Sequence, residues 1–154
     1  MNATINHDIK LPKASTPLDI LQSALNALND GKISQVVDAF DDHFTFNDQA
    51  LGLKFTDKGR LSEFFEKLRE FFPDTVLKLS STFECGGRVI AEWKITATET
   101  VPYGSRPFRF PISLAGASIV EIKNGRITRW SDYYDKSTSR RISLAAFFTE
   151  WTEY

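Results

Sequence analysis

Cysteine, histidine and long hydrophobic runs are scarce in this sequence. A single cysteine, Cys85, excludes an internal disulfide, and with only His7 and His43 beside it a Cys/His zinc site is not expected. No apolar run approaches the roughly 20 residues that a membrane-spanning helix needs. Residues 1–15 also lack the apolar core of a signal peptide. These absences predict a cytoplasmic protein without a bound metal ion.

The sequence also lacks an excess of charge of either sign. It has 19 Lys and Arg against 20 Asp and Glu, a formal net charge of −1. Such a chain has no overall field that would attract nucleic acid or an anionic membrane. Gly86-Gly87 is predicted to form a turn, and no phosphate-binding fingerprint accompanies it. We therefore expect no nucleic-acid partner, no membrane partner and no cofactor.

What the chain does have is a globular, phenylalanine-rich composition. Of its 154 residues, 42% are hydrophobic and 13 are Phe, which is enough for one domain with a substantial core. Residues 1–15 are polar and without periodicity, and we interpret them as a flexible arm, or as an arm that docks on a partner. Residues 16–154 are predicted to form a single domain, in which 139–153 could be a last helix.

The first half of the domain carries helical signals. Thr16-Pro17 is typical of a helix start, and Asp57 can cap a later helix that Pro73 ends. Helical periodicity predicts three helices, with apolar stripes of Leu18, Leu21, Leu25 and Leu28; of Ile33, Val36, Val37 and Phe40; and of Leu61, Phe64, Phe65, Leu68, Phe71 and Phe72. Between the second and third helices, residues 44–48 alternate as in a strand.

The second half is strand-like. Residues 76–83, 88–100, 108–123 and 126–135 are predicted strands, and Asn124-Gly125 between the last two favours a tight hairpin turn. The order is helix, helix, strand, helix and then four strands. Helices that are segregated from an antiparallel sheet indicate the α+β class.

The last strand places an acid between two aromatic rings. Trp130, Asp132 and Tyr134 alternate and therefore share one face of the strand. A carboxylate on such a face is costly to bury unless it is paired or used in chemistry. A hairpin closed at Asn124-Gly125 would place Asp132 opposite Ala117 and Trp130 opposite Ile119, unless a bulge near Gly116 changes the parity.

This register leaves an apolar outer face on the sheet. With Asp132 turned inward, the side chains predicted to point outward are Ile112, Leu114, Val120, Ile122 and Ile127. An apolar outer face implies a partner surface. A homodimer through the sheet, with Ile112, Leu114 and Val120 near its interface, is the simplest expectation.

The element order and four motifs resemble the nuclear transport factor 2-like superfamily, and within it the SnoaL-like polyketide cyclases. The motifs are Asn29-Asp30-Gly31, residues 40–48 (FDDHFTFND), Phe72-Pro73-Asp74 and residues 124–135 (NGRITRWSDYYD). The resemblance covers roughly residues 17–135, and limonene epoxide hydrolases and ketosteroid isomerases are relatives. It implies a curved antiparallel sheet wrapped around helices, a cone with an apolar pocket inside.

The resemblance also implies functional positions. Asp48 falls where ketosteroid isomerases place their general base, and Asp132 falls where epoxide hydrolases place a catalytic aspartate. The arginine and second aspartate of the hydrolases would fall near Trp93 and Ile95, so the hydrolase triad is absent. The isomerase oxyanion hole needs a tyrosine near Ala24 and an acid near Ala117 or Ser118, and neither is present.

Asp48 and Asp132 are thus the candidate catalytic residues. The predicted pocket lining is Phe46, Trp93, Ile95, Ala117, Ile119, Trp130 and Tyr134. Two carboxyls in one apolar pocket would titrate differently, so that one could act as base and the other as acid. Alternatively, Asp48 caps a turn before Leu51-Gly52, Asp132 is hydrogen-bonded to a tyrosine or to backbone, and the tryptophans are simply core.

Two classes of function follow. The first is a cofactor-independent enzyme of the cyclase, isomerase or lyase type, which uses acid–base chemistry on a hydrophobic carbonyl-bearing or cyclic small molecule. The second is a non-catalytic module of the same fold that binds such a ligand or mediates association. Epoxide hydrolase chemistry is disfavoured because the arginine and second aspartate are missing.

Overall fold

The computed structural model describes residues 15–101 and 105–139 of the chain. The predicted arm, apart from Ser15, lies outside the described residues, as does the predicted helix at 139–153 apart from its first residue. The described part of the chain ends in a short 3-10 helix, Lys136–Ser139.

In the described part of the chain, three α-helices form where the sequence predicts them. Helix α1 spans Pro17–Asn29 and starts with a capping box between Thr16 and Asp19, while α2 spans Ile33–Asp38. Helix α3 spans Lys58–Phe71, and the Asp57 side chain caps its first turn by accepting from the Arg60 amide. None of the helices in residues 15–101 and 105–139 is long and apolar enough to cross a bilayer.

Within residues 15–101 and 105–139, six strands form one sheet. They are β1 (Phe40–Asp48), β2 (Leu53–Phe55), β3 (Val76–Cys85), β4 (Arg88–Val101), β5 (Phe108–Lys123) and β6 (Arg126–Tyr134), in the spatial order β2-β1-β6-β5-β4-β3. All neighbours pair antiparallel except β1 and β6, which are parallel. The predicted α+β fold, a curved sheet with N-terminal helices, is confirmed.

Two details at the start of the sheet differ from the sequence prediction. Phe40 begins β1 and does not belong to α2, because its ring is fully buried against the sheet and stacks on Trp130 with centroids 6.0 Å apart. The three-residue strand β2 was not predicted. It is too short to show a periodicity of its own, and it forms by pairing with the end of β1.

The β5–β6 hairpin contains a bulge that reverses the predicted register. The turn is as expected, with φ of 50° at Asn124 and 75° at Gly125. Ile122 then pairs with Ile127, but Glu121 pairs with Arg129, so Thr128 is an extra residue. Beyond it Asp132 lies opposite Ser118, and Trp130 lies opposite Val120.

This bulge corrects the prediction for the sheet faces. Ile112 and Leu114 line the interior cavity, and Val120, Ile122 and Ile127 are buried in the core. None of the five forms the outer face that the predicted register assigned to them. Ala117 and Ile119, predicted to line the pocket, lie on the opposite face of β5, because successive strand residues point to opposite sides.

Candidate active site

A cavity of about 280 Å³ lies between the inner face of the sheet and helices α1 and α3. Its walls are mostly aliphatic and aromatic, with few polar side chains among them. Such a cavity suits an apolar small molecule whose orientation is fixed by a few polar contacts.

Seven of the nine predicted site residues line this cavity. They are Phe46, Asp48, Trp93, Ile95, Trp130, Asp132 and Tyr134. Ala117 and Ile119 are not among the lining residues, because the β5–β6 bulge puts them on the opposite face of the sheet. Ser118 takes the place that Ala117 was predicted to occupy, on the cavity face opposite Asp132.

Asp132 is held by two side-chain donors that bind the same carboxyl oxygen. The Ser118 hydroxyl donates to Oδ1 at 2.5 Å, and the indole Nε1 of Trp130 donates to Oδ1 at 2.6 Å. Trp93 Nε1 in turn donates to the Ser118 oxygen at 2.8 Å, which leaves the serine proton for Asp132. Oδ2 of Asp132 has no hydrogen-bond partner among the described residues, and Asp132 lines the cavity.

Burial raises the pKa of Asp132 to about 7, because the ionised carboxylate loses its hydration. The hydrogen bonds from Ser118 and Trp130 favour the ionised form and oppose the rise, while the nearby charge of Asp48 adds to it. At neutral pH the Asp132 carboxyl can therefore both accept and donate a proton.

Asp48 is also in the cavity wall, but both of its oxygens are occupied. It is 5% exposed; Oδ2 accepts from the Tyr134 hydroxyl at 2.8 Å and Oδ1 from the Leu51 amide at 2.9 Å. Burial raises the pKa of Asp48, and these hydrogen bonds lower it. Burial and the adjacent Asp48 charge raise the pKa of Tyr134, so its phenol stays protonated as the donor. Asp48 therefore caps the turn before Leu51, as the alternative interpretation predicted, and it also binds Tyr134.

Gly116 leaves room for the Trp93 ring, whose N–H donates to Ser118. The two residues are paired across β4 and β5, and a Cβ atom at residue 116 would lie 2.5 Å from the Trp93 ring and 2.7 Å from the Tyr133 carbonyl oxygen. Contacts this short do not occur in folded proteins, so the ring position depends on glycine here. Asp48, Ser118, Asp132 and Tyr134, with the two indoles, are called the acidic end of the cavity below.

Ser118 and Arg69 are among the cavity-lining residues that the sequence analysis did not assign to the site. Ser118 carries no local signal, because only the bulged register brings it opposite Asp132. Arg69 did carry one, since it follows Leu61 and Phe65 at four-residue spacing and so lies on the apolar stripe of α3. No group of three or more His, Cys, Asp or Glu side chains in residues 15–101 and 105–139 is placed to hold a metal ion.

Comparison with protein families shows which family the chain belongs to. The SnoaL-like domain profile matches residues 21–130. The chain belongs to the SnoaL-like domain family. No curated protein matches the sequence significantly.

Several solved structures share the SnoaL-like fold. A candidate SnoaL-like polyketide cyclase from Shewanella putrefaciens CN-32 superposes with a TM-score of 0.71 at 13% identity, covering 80% of this chain and 93% of that one. IdmH, a candidate polyketide cyclase from Streptomyces antibioticus, gives 0.71 at 16% identity, covering 80% and 95%. A limonene epoxide hydrolase-like enzyme from M. tuberculosis gives 0.64 at 18% identity, covering 79% and 84%. At these identities the likeness establishes the fold.

Proposed function

We propose that this SnoaL-like protein is a cofactor-independent acid–base enzyme of the cyclase or isomerase type. Its substrate would be a hydrophobic, carbonyl-bearing small molecule. The observation that supports this most is the asymmetry of Asp132: Oδ1 accepts two hydrogen bonds, whereas Oδ2 has no partner among the described residues. A carboxyl held by one oxygen and open at the other, with a pKa of about 7, suits proton transfer to a bound ligand.

The reaction would begin with ionised Asp132. Its Oδ2 takes a proton from the carbon next to the substrate carbonyl, and the electron pair of that C–H bond forms an enolate. The Asp132 acid then returns the proton. In a double-bond shift the proton goes to a different carbon, and in an aldol cyclisation it goes to the alkoxide formed when the enolate carbon attacks a second carbonyl. Either route gives an isomer of the substrate and regenerates the carboxylate.

Asp48 and Tyr134 would support this step from the neighbouring wall. The Tyr134 hydroxyl is a protonated donor in the cavity, bound to Asp48 at 2.8 Å. In the proposed step it would turn towards a developing enolate oxygen, while the Asp48 charge helps keep the Asp132 pKa high. In this proposal Asp132 is the principal acid–base group and Asp48 is its partner.

The test follows exchange of carbon-bound hydrogen, which requires no knowledge of the natural substrate. Wild-type protein is incubated in D₂O near neutral pH with 2-tetralone or 1-indanone, and deuterium incorporation next to the carbonyl is measured by mass spectrometry. Asp132→Asn should lose about a hundredfold or more in rate, the usual scale for a lost general acid or base. Asp38→Asn, the same change at an exposed residue, should leave the rate unchanged.

Two results would refute the proposal. The first is wild-type exchange no faster than in buffer for either ketone. The second is equal exchange by wild type and Asp132→Asn. Either result, together with calorimetric binding of the ketones, would favour the non-catalytic ligand-binding alternative.

We also propose that the protein forms a homodimer through the outer face of the sheet, with different residues from those first predicted. Phe83, Ile90 and Ile119 form one cross-strand row on that face, and Phe83 and Ile90 are 64% and 41% exposed. Tyr133, 41% exposed, extends the apolar surface on β6. Apolar area of this kind on a sheet face is typical of a protein–protein contact.

Light scattering at micromolar concentration tests the dimer. Wild type should give twice the monomer mass, and Ile90→Lys should give the monomer, because a buried lysine would oppose the contact. Phe71→Lys, a change at an exposed aromatic residue on α3, is the matched control and should remain dimeric. A monomeric wild type would contradict the proposal.

A further inference from the structure

We propose that Arg69 is an anion-binding residue and that the cavity takes ligands with a carboxylate at the end remote from Asp132. If the proposed enzyme function holds, the substrate is such an acid. The anion site itself does not depend on that function. Arg69 is a cationic side chain in a largely apolar part of the cavity wall. Leu68, Arg69, Phe72 and Thr75 are called the cationic end of the cavity.

Arg69 is fixed in the cavity wall by its neighbours. It lies in the last turn of α3, where a positive charge is favoured by the helix dipole. Its Nη1 donates to the Thr75 carbonyl oxygen at 3.2 Å. The guanidinium also lies against Gly31, where an added Cβ would be 3.3 Å from Nε. The group is therefore held in one place and not free in solvent.

The charge of Arg69 is not neutralised by the described part of the protein. The ion pairs there involve Lys32, Lys58, Arg88 and Arg129, and none includes Arg69. Among the described residues that line the cavity, Arg69 is also the one Lys or Arg. A guanidinium has five N–H donors in a planar fork that matches a carboxylate. One hydrogen bond to Thr75 leaves most of these donors available.

An apolar cluster adjoins Arg69 along α3 and in the cavity wall. Phe72 is buried with Ala97, and Leu68 and Ile112 pack against them. All four residues line the cavity, as Arg69 does. A charge-assisted hydrogen bond made next to such a surface is stronger than the same bond in open water. An aromatic or aliphatic acid would place its ring on this surface and its carboxylate on the guanidinium.

The two ends of the cavity attract opposite groups. Leu77, two residues after Thr75, pairs with Ile95, which pairs with Leu114, whereas Asp132 pairs with Ser118. Along β5, Leu114 and Ser118 are four residues apart, roughly 13 Å. Across the sheet, Leu77 on β3 and Asp132 on β6 are three strand spacings apart, roughly 14 Å before curvature is considered. Asp48 and Asp132 would repel an anion, so a carboxylate at Arg69 would direct the other end of the ligand towards Asp132.

A purely structural role for Arg69, closing the turn at Thr75, makes a different prediction. Such a role would affect every ligand alike, whereas an anion site affects charged ligands only. The two are separated by 2-naphthoate and 2-naphthamide, which have the same ring system and similar shape but differ in charge. Affinities are measured by isothermal titration calorimetry at pH 7.5.

Wild type should bind naphthoate more tightly than naphthamide. Arg69→Met should weaken naphthoate binding about tenfold or more and leave naphthamide within about twofold, as expected for loss of a charge-assisted bond. Arg69→Lys keeps the charge but loses the planar fork of donors, so its naphthoate affinity should lie between those of wild type and Arg69→Met. Lys67→Met, the same loss of charge at an exposed residue of α3, should change neither affinity.

Three results would overturn the inference: equal losses for both ligands in Arg69→Met, no loss for either, or wild-type binding of naphthoate no tighter than that of naphthamide. Asp132→Asn should retain the preference for naphthoate. A failed exchange assay and a failed anion site therefore give separate signatures, since the first depends on Asp132 and the second on Arg69.

Discussion

The acidic and cationic ends of the cavity differ in how their polar side chains are hydrogen-bonded. At the acidic end, buried polar side chains bind one another: Trp93 to Ser118, Ser118 and Trp130 to Asp132, and Tyr134 to Asp48. At the cationic end, a single charged group, Arg69, is anchored to one backbone carbonyl among apolar neighbours.

This difference indicates how each end should respond to change. A connected network fixes positions and proton affinities together, so altering one member affects the others. An isolated cation can be altered with little effect beyond its own ligand. We therefore expect large, coupled effects at the acidic end and small, local ones at the cationic end.

The largest expected effect is on the pH dependence of stability. The pKa of Asp132 is raised from 3.8 to about 7 in the folded protein. Between pH 4 and 7 the folded state keeps a proton that the unfolded state has lost, so stability falls as pH rises. At roughly 1.4 kcal/mol per unit, the loss in the free energy of unfolding is up to about 4 kcal/mol.

Asp132→Asn removes this titration. Urea unfolding at pH 4, 6 and 8 should show the variant gaining on wild type as pH rises, and Asp38→Asn should follow wild type. Arg69→Met should leave the slope unchanged, which tests the independence of the two ends. Parallel curves for wild type and Asp132→Asn would contradict the raised pKa.

A smaller effect is expected from adding one methyl group. Gly116→Ala would force Cβ into the Trp93 ring and the Tyr133 carbonyl, and should reduce the free energy of unfolding by about 2 kcal/mol. Ser113→Thr adds a methyl at an exposed residue on the cavity rim and should change it by less than about 0.5 kcal/mol. Thermal or urea unfolding gives both values.

A double-mutant cycle with Trp93→Phe checks the cause. If the indole is what Gly116 accommodates, the cost of Gly116→Ala should fall in the Trp93→Phe background. It should not vanish, because the Tyr133 carbonyl remains 2.7 Å from the added Cβ. An unchanged cost would mean that the backbone contact alone is responsible.

The smallest effect is a shift in one pKa. Trp130→Phe keeps an aromatic ring but removes the N–H that donates to Asp132 at 2.6 Å. Because that bond favours the ionised carboxylate, its loss should raise the pKa of Asp132 above about 7, by on the order of one unit. Carbon-13 NMR titration of aspartate-labelled protein, assigned with Asp132→Asn, measures the shift. A lowered pKa would contradict the hydrogen-bond assignment.

The sequence by itself determined most of the local structure. The capping residues Thr16 and Asp57, the stripes on α1 and α3, and Asn124-Gly125 specify element starts and a turn within a few residues of chain. Alternation within β6 likewise places Trp130, Asp132 and Tyr134 on one face. These features depend on neighbours in sequence, so they can be read without a fold.

Only the tertiary structure decided which residues face Asp132. Ile127 and Trp130 are three apart yet both buried, and this spacing can be satisfied in a strand only if one residue, Thr128, is extra. The bulge moves Ser118 into the site, turns Ala117 and Ile119 outward, and brings Ile112 and Leu114 into the cavity wall. Pairing between strands sets this register, because a slip of one residue exchanges the two faces of a strand.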